Sequence, residues 1–255
     1  MRNWTMAIVP LALAMTASGC NGSVTGGNDN QDGQKSERSA DPGPVTTQSF
    51  ALKDFTGVEL AGPDDVTIRQ GAAFSISAKG PKNELDELEI KLDGDTLAIG
   101  RKREGFSFGG RDRDGIQIAI TMPRLTKLKL TGSGEIDADT VDGDAVDIAV
   151  TGSGDLKVTK LTAKSADVAV SGSGDIEIGG GTIATGDYGV TGSGNIDADA
   201  LVAQNLDISI TGSGDVGANA TGKVDVKILG SGDVEVTGGA TCSTSQMGSG
   251  GTTCK

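Results

Sequence analysis

The chain has 255 residues, of which 41 are Gly, only 3% are aromatic and none is His. Without His, a catalytic site built on Ser-His-Asp or Cys-His chemistry is excluded, and the commonest metal ligand is missing. The net charge of −13 argues against a nucleic-acid partner, because the surface would repel phosphates.

The segment from Met1 to Gly19 has the features of a secretory signal peptide. Arg2 precedes an apolar run over residues 6–15, which is too short to span a membrane, and small residues follow. Thr16-Ala17-Ser18-Gly19-Cys20 resembles the lipobox of bacterial lipoproteins, in which the Cys is acylated and becomes the mature N-terminus. We therefore expect lipid on Cys20; the alternative is an ordinary signal peptide with an incidental Cys.

Residues 20–49 follow as a polar stretch rich in Gly, Asn, Asp, Ser and Thr. Such a segment buries too little apolar surface to offset its chain entropy, so we expect a disordered tether. Asn21, next to the lipidated Cys, favours the outer membrane over the inner one. The sequence thus predicts an exported protein anchored by lipid in the cell envelope.

Residues 50–130 carry 13 acidic and 13 basic residues and form a neutral N-terminal region. Short alternating runs predict strands at 66–68, 74–76, 88–92, 96–99 and 116–120. Asp93-Gly94 indicates a hairpin, and residues 83–88 are long enough for one helical turn. We expect this region to form the atypical cap that a repeat protein needs at its end.

Residues 131–255 are dominated by a repeat and carry 18 acidic but only 6 basic residues. Gly-Ser-Gly recurs at nearly constant spacing, which shortens slightly after the fifth copy, and the copies start at Gly132, Gly152, Gly172, Gly192, Gly212, Gly230 and Gly248. Around it, apolar and polar residues alternate as in strands with one buried face. A unit this short buries its apolar face only by stacking, so the sequence predicts an all-β, right-handed parallel β-helix with coils of about 20 residues.

The alternation also places the motif. If Val146, Ile148 and Val150 point inward, Gly152 and Gly154 do too, and we expect only Gly to fit there because opposite walls approach. The Thr, Ser and Asp of each unit then form outward columns. A degenerate copy begins the neutral region, since residues 58–66 align position for position with residues 128–136.

Three Cys are present, and lipid on Cys20 would leave Cys242 and Cys254 as a pair near the C-terminus. In an exported chain such a pair is expected to form a disulfide. Two free thiols are the alternative, and a metal site made from two Cys without His is weaker still.

From about residue 50 to the C-terminus the chain resembles the family called putative auto-transporter adhesin, head GIN domain. The resemblance rests on Phe55-Thr56-Gly57-Val58, the Gly-Pro-Asp-Asp-Val-Thr-Ile segment at 62–68, residues 83–97, Met122-Pro123-Arg124-Leu125 and the Gly-Ser-Gly-Asp repeats. It implies an exported bacterial β-helix without established catalytic or ligand residues.

Three groups of residues are candidates for a binding function. An acidic column follows the motif, with Asp155, Asp175, Asn195, Asp215 and Asp233 below Glu135; it is either a solvated face or a calcium site, and a second column starts at Asp147. A hydroxyl face contains Thr131, Ser133, Thr151, Ser153 and Thr191; it stabilises neighbouring strands, docks glycan or orders water as ice-binding helices do. A basic segment contains Arg101, Lys102, Arg103, Arg111 and Arg113 with Phe106 and Phe108; it is a mobile loop or a contact for an anionic partner.

The prediction for function is a non-catalytic, adhesin-like binding or structural module without a cofactor. Its partners are the membrane through the lipid anchor, and glycan or other envelope or surface proteins. The alternatives are a β-helical polysaccharide-degrading enzyme, which would need irregular carboxylates in long side loops, and a calcium-binding repeat protein.

Overall fold

The computed structural model describes residues 43–102 and 115–255. This part of the chain is nearly all β, with eighteen strands and one short helix. The elements are β1 (Val45–Phe50), β2 (Gly57–Gly62), β3 (Asp65–Gln70), β4 (Ser75–Pro81), α1 (Lys82–Glu87), β5 (Leu88–Asp93), β6 (Thr96–Arg101), β7 (Gln117–Met122), β8 (Lys127–Gly132), β9 (Glu135–Gly152), β10 (Asp155–Gly172), β11 (Ile176–Ile178), β12 (Gly181–Gly192), β13 (Ile196–Gly212), β14 (Val216–Ala220), β15 (Lys223–Gly230), β16 (Val234–Thr237), β17 (Thr241–Gly248) and β18 (Thr252–Cys254).

The repeat winds into a parallel β-solenoid, which confirms the predicted fold class. β10 pairs in parallel with β9, and each residue lies beside its counterpart in the preceding repeat, with Leu156 beside Ile136 and Gly172 beside Gly152. The coil is slightly shorter at the C-terminal end, where β15 pairs with β17 and Gly230 lies beside Gly248. The spacing of the motif in the sequence is thus the length of one coil. The right-handed sense of the winding stays a prediction.

Two walls of each coil flank the Gly-Ser-Gly motif. Wall A ends at its first Gly, as in residues 146–152, and wall B begins just after it, as in residues 155–158. Inward residues of both walls, among them Ile148, Val150 and Leu156, are at most 1% exposed. Their removal from water supplies the main driving force for stacking.

The cap does not stack in chain order. β2 lies between β6 and β8, and β3 lies between β7 and the start of β9. Val58 is beside Leu128 and Val66 is beside Ile136, which confirms the alignment of residues 58–66 with 128–136. The degenerate copy is therefore a true coil of the solenoid, with β6 and β7 outside it.

Antiparallel strands complete the N-terminal end. β5 and β6 form the predicted hairpin, with Asp93 opposite Thr96, and α1 coincides with the predicted helical turn. β1 pairs with β4, and β4 pairs with β7. The prediction of a disordered tether is wrong for residues 45–49, because backbone pairing with β4 orders them although their side chains are exposed.

At the C-terminal end the last coil consists of β17 and β18. Cys242 in β17 and Cys254 in β18 are joined by a disulfide, with Cα atoms 6.6 Å apart. The bond connects walls A and B where no further coil of the described chain follows.

The signal peptide, Cys20 and residues 20–42 of the predicted tether lie outside the described residues, as do Arg103, Phe106, Phe108, Arg111 and Arg113 of the basic segment. Within the described ranges, no helix has the length and hydropathy that a membrane span requires.

Candidate functional site

The Gly-Ser-Gly turn fixes the backbone that carries the outward columns. Gly152 has a φ of 124°, a conformation that side chains disfavour. The N–H groups of Ser153 and Gly154 both donate to the carbonyl oxygen of Gly132, at 2.9 and 3.0 Å. A Cβ on Gly154 would lie 2.3 Å from the carbonyl oxygen of Gly134. The expectation that Gly is needed here holds, but the obstruction is the backbone of the preceding coil rather than the opposite wall.

The residues of the hydroxyl face and the aspartates of the first acidic column are all exposed, and the walls bring them together in columns; they are Thr131, Ser133, Thr151, Ser153, Asp155, Asp175, Thr191, Asp215 and Asp233. Thr131 pairs with Thr151 on neighbouring strands, while Ser171 separates Thr151 from Thr191. Asp155 and Asp175 occupy adjacent coils, as do Asp215 and Asp233. Ser133 and Ser153 lie at the turns between the Thr and Asp columns.

The Asp column is a hydrogen-bonded ladder. From Asp175 onward, the backbone N–H of each member donates to the side-chain Oδ1 of the member one coil before it, at 3.3 Å for Asp175 on Asp155, 2.8 Å for Asn195 on Asp175 and 2.9 Å for Asp215 on Asn195. The same contact joins Asp233 to Asp215 at 2.8 Å and Gly251 to Asp233 at 2.7 Å. These carboxylates satisfy backbone donors at the turns and therefore have a structural role, which was not among the expectations from the sequence.

A sequence signal for this ladder exists. Each Asp directly follows a turn, where parallel strand pairing breaks off and N–H groups need other acceptors. Asn195 is the one amide in the column; its Oδ1 accepts the Asp215 N–H at 2.9 Å, so an uncharged acceptor also serves in the middle of the column. Its Nδ2 donates to Oδ1 of Asp175 at 2.9 Å.

The hydroxyl columns behave differently. In the part of the chain that the structure describes, one contact joins hydroxyls of successive coils, between Ser231 and Ser249 at 3.1 Å. The hydroxyls of Thr131, Thr151, Ser171, Thr191 and Thr211 have no such partner within these ranges. The expected stabilising ladder of hydroxyls is therefore confined to the C-terminal end, and the remaining hydroxyls face solvent.

A second acidic column lies on the outer face of wall A. Asp147, Asp167, Asp187 and Asp207 are in register and line a groove of about 650 Å³ together with Ser165 and Thr185. Burial, followed by the neighbouring carboxylates of Asp187 and Asp147, raises the pKa of Asp167 above its usual value. At one end of this column Lys129 offsets the negative charge, since its Nζ lies 3.7 Å from the carboxylate of Asp147. No set of three acidic or Cys side chains within the described ranges is arranged to hold a metal ion.

Arg101 was predicted to belong to an exposed basic loop, and this is wrong. Its side chain is 9% exposed and forms an ion pair with Asp64, which is fully buried. Nη1 donates to Glu84 Oε2 at 2.8 Å, and the Ile116 N–H donates to the Asp64 carboxylate at 2.9 Å. A buried carboxylate requires such partners, so Arg101 holds β6, α1 and the turn before β3 together.

Comparison with known proteins gives one family. The model of the family described as putative auto-transporter adhesin, head GIN domain, matches residues 54–240. No curated protein matches the chain.

Solved structures share the fold. A putative adhesin from Bacteroides fragilis is 22% identical with a TM-score of 0.71, covering 83% of this chain and 97% of its own. A putative lipid binding protein from Parabacteroides distasonis is 26% identical with a TM-score of 0.65, covering 84% and 97%. A putative adhesin from Parabacteroides merdae is 20% identical with a TM-score of 0.64, covering 84% and 97%.

Proposed function

The chain belongs to the putative auto-transporter adhesin, head GIN domain family, and from this premise we propose that it is a non-catalytic binding module of the bacterial cell envelope. The family description names adhesins, and so do the names of the similar proteins from Bacteroides fragilis and Parabacteroides merdae. An adhesin is an exported or surface protein, which agrees with the proposal. The repeated outward columns fit weak contacts that add up along an extended ligand.

The observation that carries the proposal is that the hydroxyls of the Thr/Ser column that begins at Thr131 are exposed and make no hydrogen bond from coil to coil in the described chain. Thr131, Thr151, Ser171 and Thr191 stand in register on successive strands, which lie about 4.8 Å apart in a sheet. Their hydroxyls are exposed and, in the described chain, make no contact from coil to coil, whereas the Asp column is occupied with backbone N–H groups. Hydroxyls without protein partners can donate to and accept from a hydroxyl-rich ligand. We infer that the ligand is an extended glycan of the envelope.

The test is a glycan and cell-envelope binding array, run beside a polysaccharide cleavage screen. We expect binding that weakens when Thr151 and Thr191 are both replaced by Val. In a matched control, Val replaces Thr162 and Thr182, which are exposed Thr residues away from the hydroxyl face. Equal loss in the control, or cleavage of a polysaccharide that one Asp substitution abolishes, would contradict the proposal.

Two rival functions are separated by added arms of the same experiment. Anionic and zwitterionic vesicles test lipid binding, the activity named for the Parabacteroides distasonis protein. Calcium is tested by thermal melting, where we expect the same midpoint in millimolar Ca²⁺ and Mg²⁺, because the Asp column already accepts hydrogen bonds from the backbone. A stabilisation by Ca²⁺ alone would favour the calcium-binding alternative.

We also propose that lipid on Cys20 anchors the protein, with the outer membrane as its place. The support is the Thr16-Ala17-Ser18-Gly19-Cys20 segment, followed by Asn21. Metabolic labelling with palmitate is expected to mark the protein, and Cys20→Ala is expected to abolish both the label and membrane association. Unlabelled protein that still fractionates with the outer membrane would contradict the anchor.

A further inference from the structure

The last coil of the described chain has an open sheet edge. β17 pairs with β15 and β18 pairs with β16, each along one side. Within residues 43–102 and 115–255, no strand pairs with their other side. Such an edge presents a row of N–H and C=O groups that another strand can complete.

This edge lacks the usual protection against pairing. Residues 241–254 contain no charged side chain, although residues 131–255 together carry 18 acidic and 6 basic residues. Exposed edge strands normally carry charges or Pro that prevent association. The N-terminal end follows that rule, since β5 carries Glu89, Lys91 and Asp93 and Pro44 precedes the uncharged β1.

Apolar side chains accompany the open edge. Two members of the Thr/Ser column are replaced in the last coils by Leu229 and Met247, which are adjacent in register and 52% and 73% exposed. At the inward positions of β17, Thr244 and Gln246 lie below Val226 and Ile228 and are exposed over the open end. Backbone, apolar and small polar groups thus meet at one surface.

We propose that this end binds a second copy of the chain, tail to tail, with β17 antiparallel to β17 of the second copy. Two chains that each carry a net charge of −13 repel one another, and the repulsion is weakest at residues 241–254, which carry no charged side chain. Lys255, directly after them, is paired with Glu235 at 2.6 Å. A two-fold axis makes one patch complementary to itself, and the two paired strands, being copies of β17, match in length. Head-to-tail stacking would instead place the edge against the charged β5.

The test is sedimentation equilibrium of the full chain in non-ionic detergent, over a range of protein concentrations. We expect a monomer–dimer equilibrium that strengthens with salt, because salt screens the repulsion between the two acidic chains. Thr244→Lys places a charge over the open end, solvated in the monomer but buried in the dimer, so it should weaken dimerisation at least tenfold. Met247→Lys, on the outer face of the same strand, should weaken it in the same direction.

Thr182→Lys is the matched control, since it adds the same charge at an exposed position of β12, and it should leave dimerisation unchanged. Circular dichroism and thermal melting show whether each variant is folded. The proposal is overturned by a chain that is monomeric at every concentration, by growth beyond the dimer, or by a dimer that neither Thr244→Lys nor Met247→Lys weakens. A control that weakens dimerisation as much as these variants overturns it too.

Discussion

At the scale of single residues, the solenoid depends on the absence of Cβ atoms at its turns. A Cβ on Gly174 would lie 2.1 Å from the carbonyl oxygen of Gly154 and 2.9 Å from Cγ1 of Val150. The carbonyl oxygen of Gly154 belongs to the backbone of the preceding coil, so it can move away only if the two coils separate. Gly189 differs, because the nearest atom to its Cβ would be the Ser209 hydroxyl oxygen at 3.8 Å.

Gly174→Ala is therefore expected to lower the free energy of unfolding by about 2 kcal/mol or more, the range of an overpacked core. Gly189→Ala is the control, since Ala149 and Ala169 already occupy the same column. It should change stability by no more than about 0.5 kcal/mol. Urea unfolding followed by circular dichroism measures both, and equal losses would contradict the role assigned to the turn.

Asp167 gives the second prediction at this scale, through its raised pKa. A carboxyl group whose pKa is higher in the folded than in the unfolded state binds its proton more tightly when folded. The stability it contributes is present below the unfolded value, about 3.9, and is lost as pH rises through the folded value. Asp167→Asn should therefore raise the melting temperature at pH 7, with a gain that vanishes below about pH 4.

Asp93→Asn is the comparison, because it removes one charge from the cap hairpin, away from the stack of carboxylates. We expect it to leave the melting temperature nearly unchanged from pH 4 to pH 8. If Asp167→Asn lowers the melting temperature at pH 7, the stacked carboxylates are not repelling one another as their register implies.

At the scale of strands and turns, the coils are joined by more than strand pairing. Wall A and wall B each form a parallel ladder that runs from coil to coil. Within a coil, strand pairing breaks off between the two walls, at the Gly-Ser-Gly turn. There the Asp column supplies the missing acceptors, with Asp175 receiving both the N–H and the Nδ2 of Asn195. The ladder thus carries hydrogen bonding around the corner of each coil.

Asp175→Ala removes the Oδ1 atom that accepts both bonds from Asn195 and should cost about 1 kcal/mol, a modest value because the site is exposed. Asp175→Asn should restore most of the stability, since Asn195 already accepts the Asp215 N–H in this way. Asp187→Ala removes a carboxylate from the other column and should not destabilise the protein. The midpoints of thermal and urea unfolding measure the stability of the three variants. If Asp175→Asn loses as much stability as Asp175→Ala, the charge of Asp175 matters rather than its hydrogen bonds.

At the scale of the whole molecule, the two ends of the solenoid are closed by different means. The N-terminal end is covered by antiparallel strands and fixed by the buried ion pair of Arg101 with Asp64. At the C-terminal end, a disulfide between Cys242 and Cys254 joins the two walls of the last described coil. Since each coil contacts only its neighbours, a terminal coil is the least stable part unless it is tied down.

The disulfide should therefore control the last coil. Non-reducing peptide mapping is expected to find Cys242 and Cys254 in one linked peptide pair. Replacing both by Ser should cost about 3 kcal/mol in the chain-entropy model for a loop this short. Hydrogen exchange should then speed up in β17 and β18 while β10 stays protected. Free thiols in the exported protein, or uniform loss of protection along the solenoid, would contradict this prediction.

The sequence alone determined the repeating part of the protein. The motif spacing is the coil length, and the alternation decides which side chains are buried, as Val150 and Thr151 show. The alignment of residues 58–66 with 128–136 is also the register in which those strands pair. These features are local or periodic, and once equal units stack in register, one unit specifies its neighbours.

The features that join residues distant in the chain depend on tertiary packing and could not be predicted from the sequence. β2 and β3 insert between coils that follow them in sequence, because pairing energy depends on complementary strands and not on chain order. The side chain of Arg101 pairs with the carboxylate of Asp64, 37 residues earlier in the chain, although the sequence groups Arg101 with the basic residues that follow it. Asp175 and Thr151 look alike in the sequence as outward polar residues. What distinguishes them is a backbone N–H one coil away, which the first accepts and the second does not, and this depends on the geometry of the turn between coils.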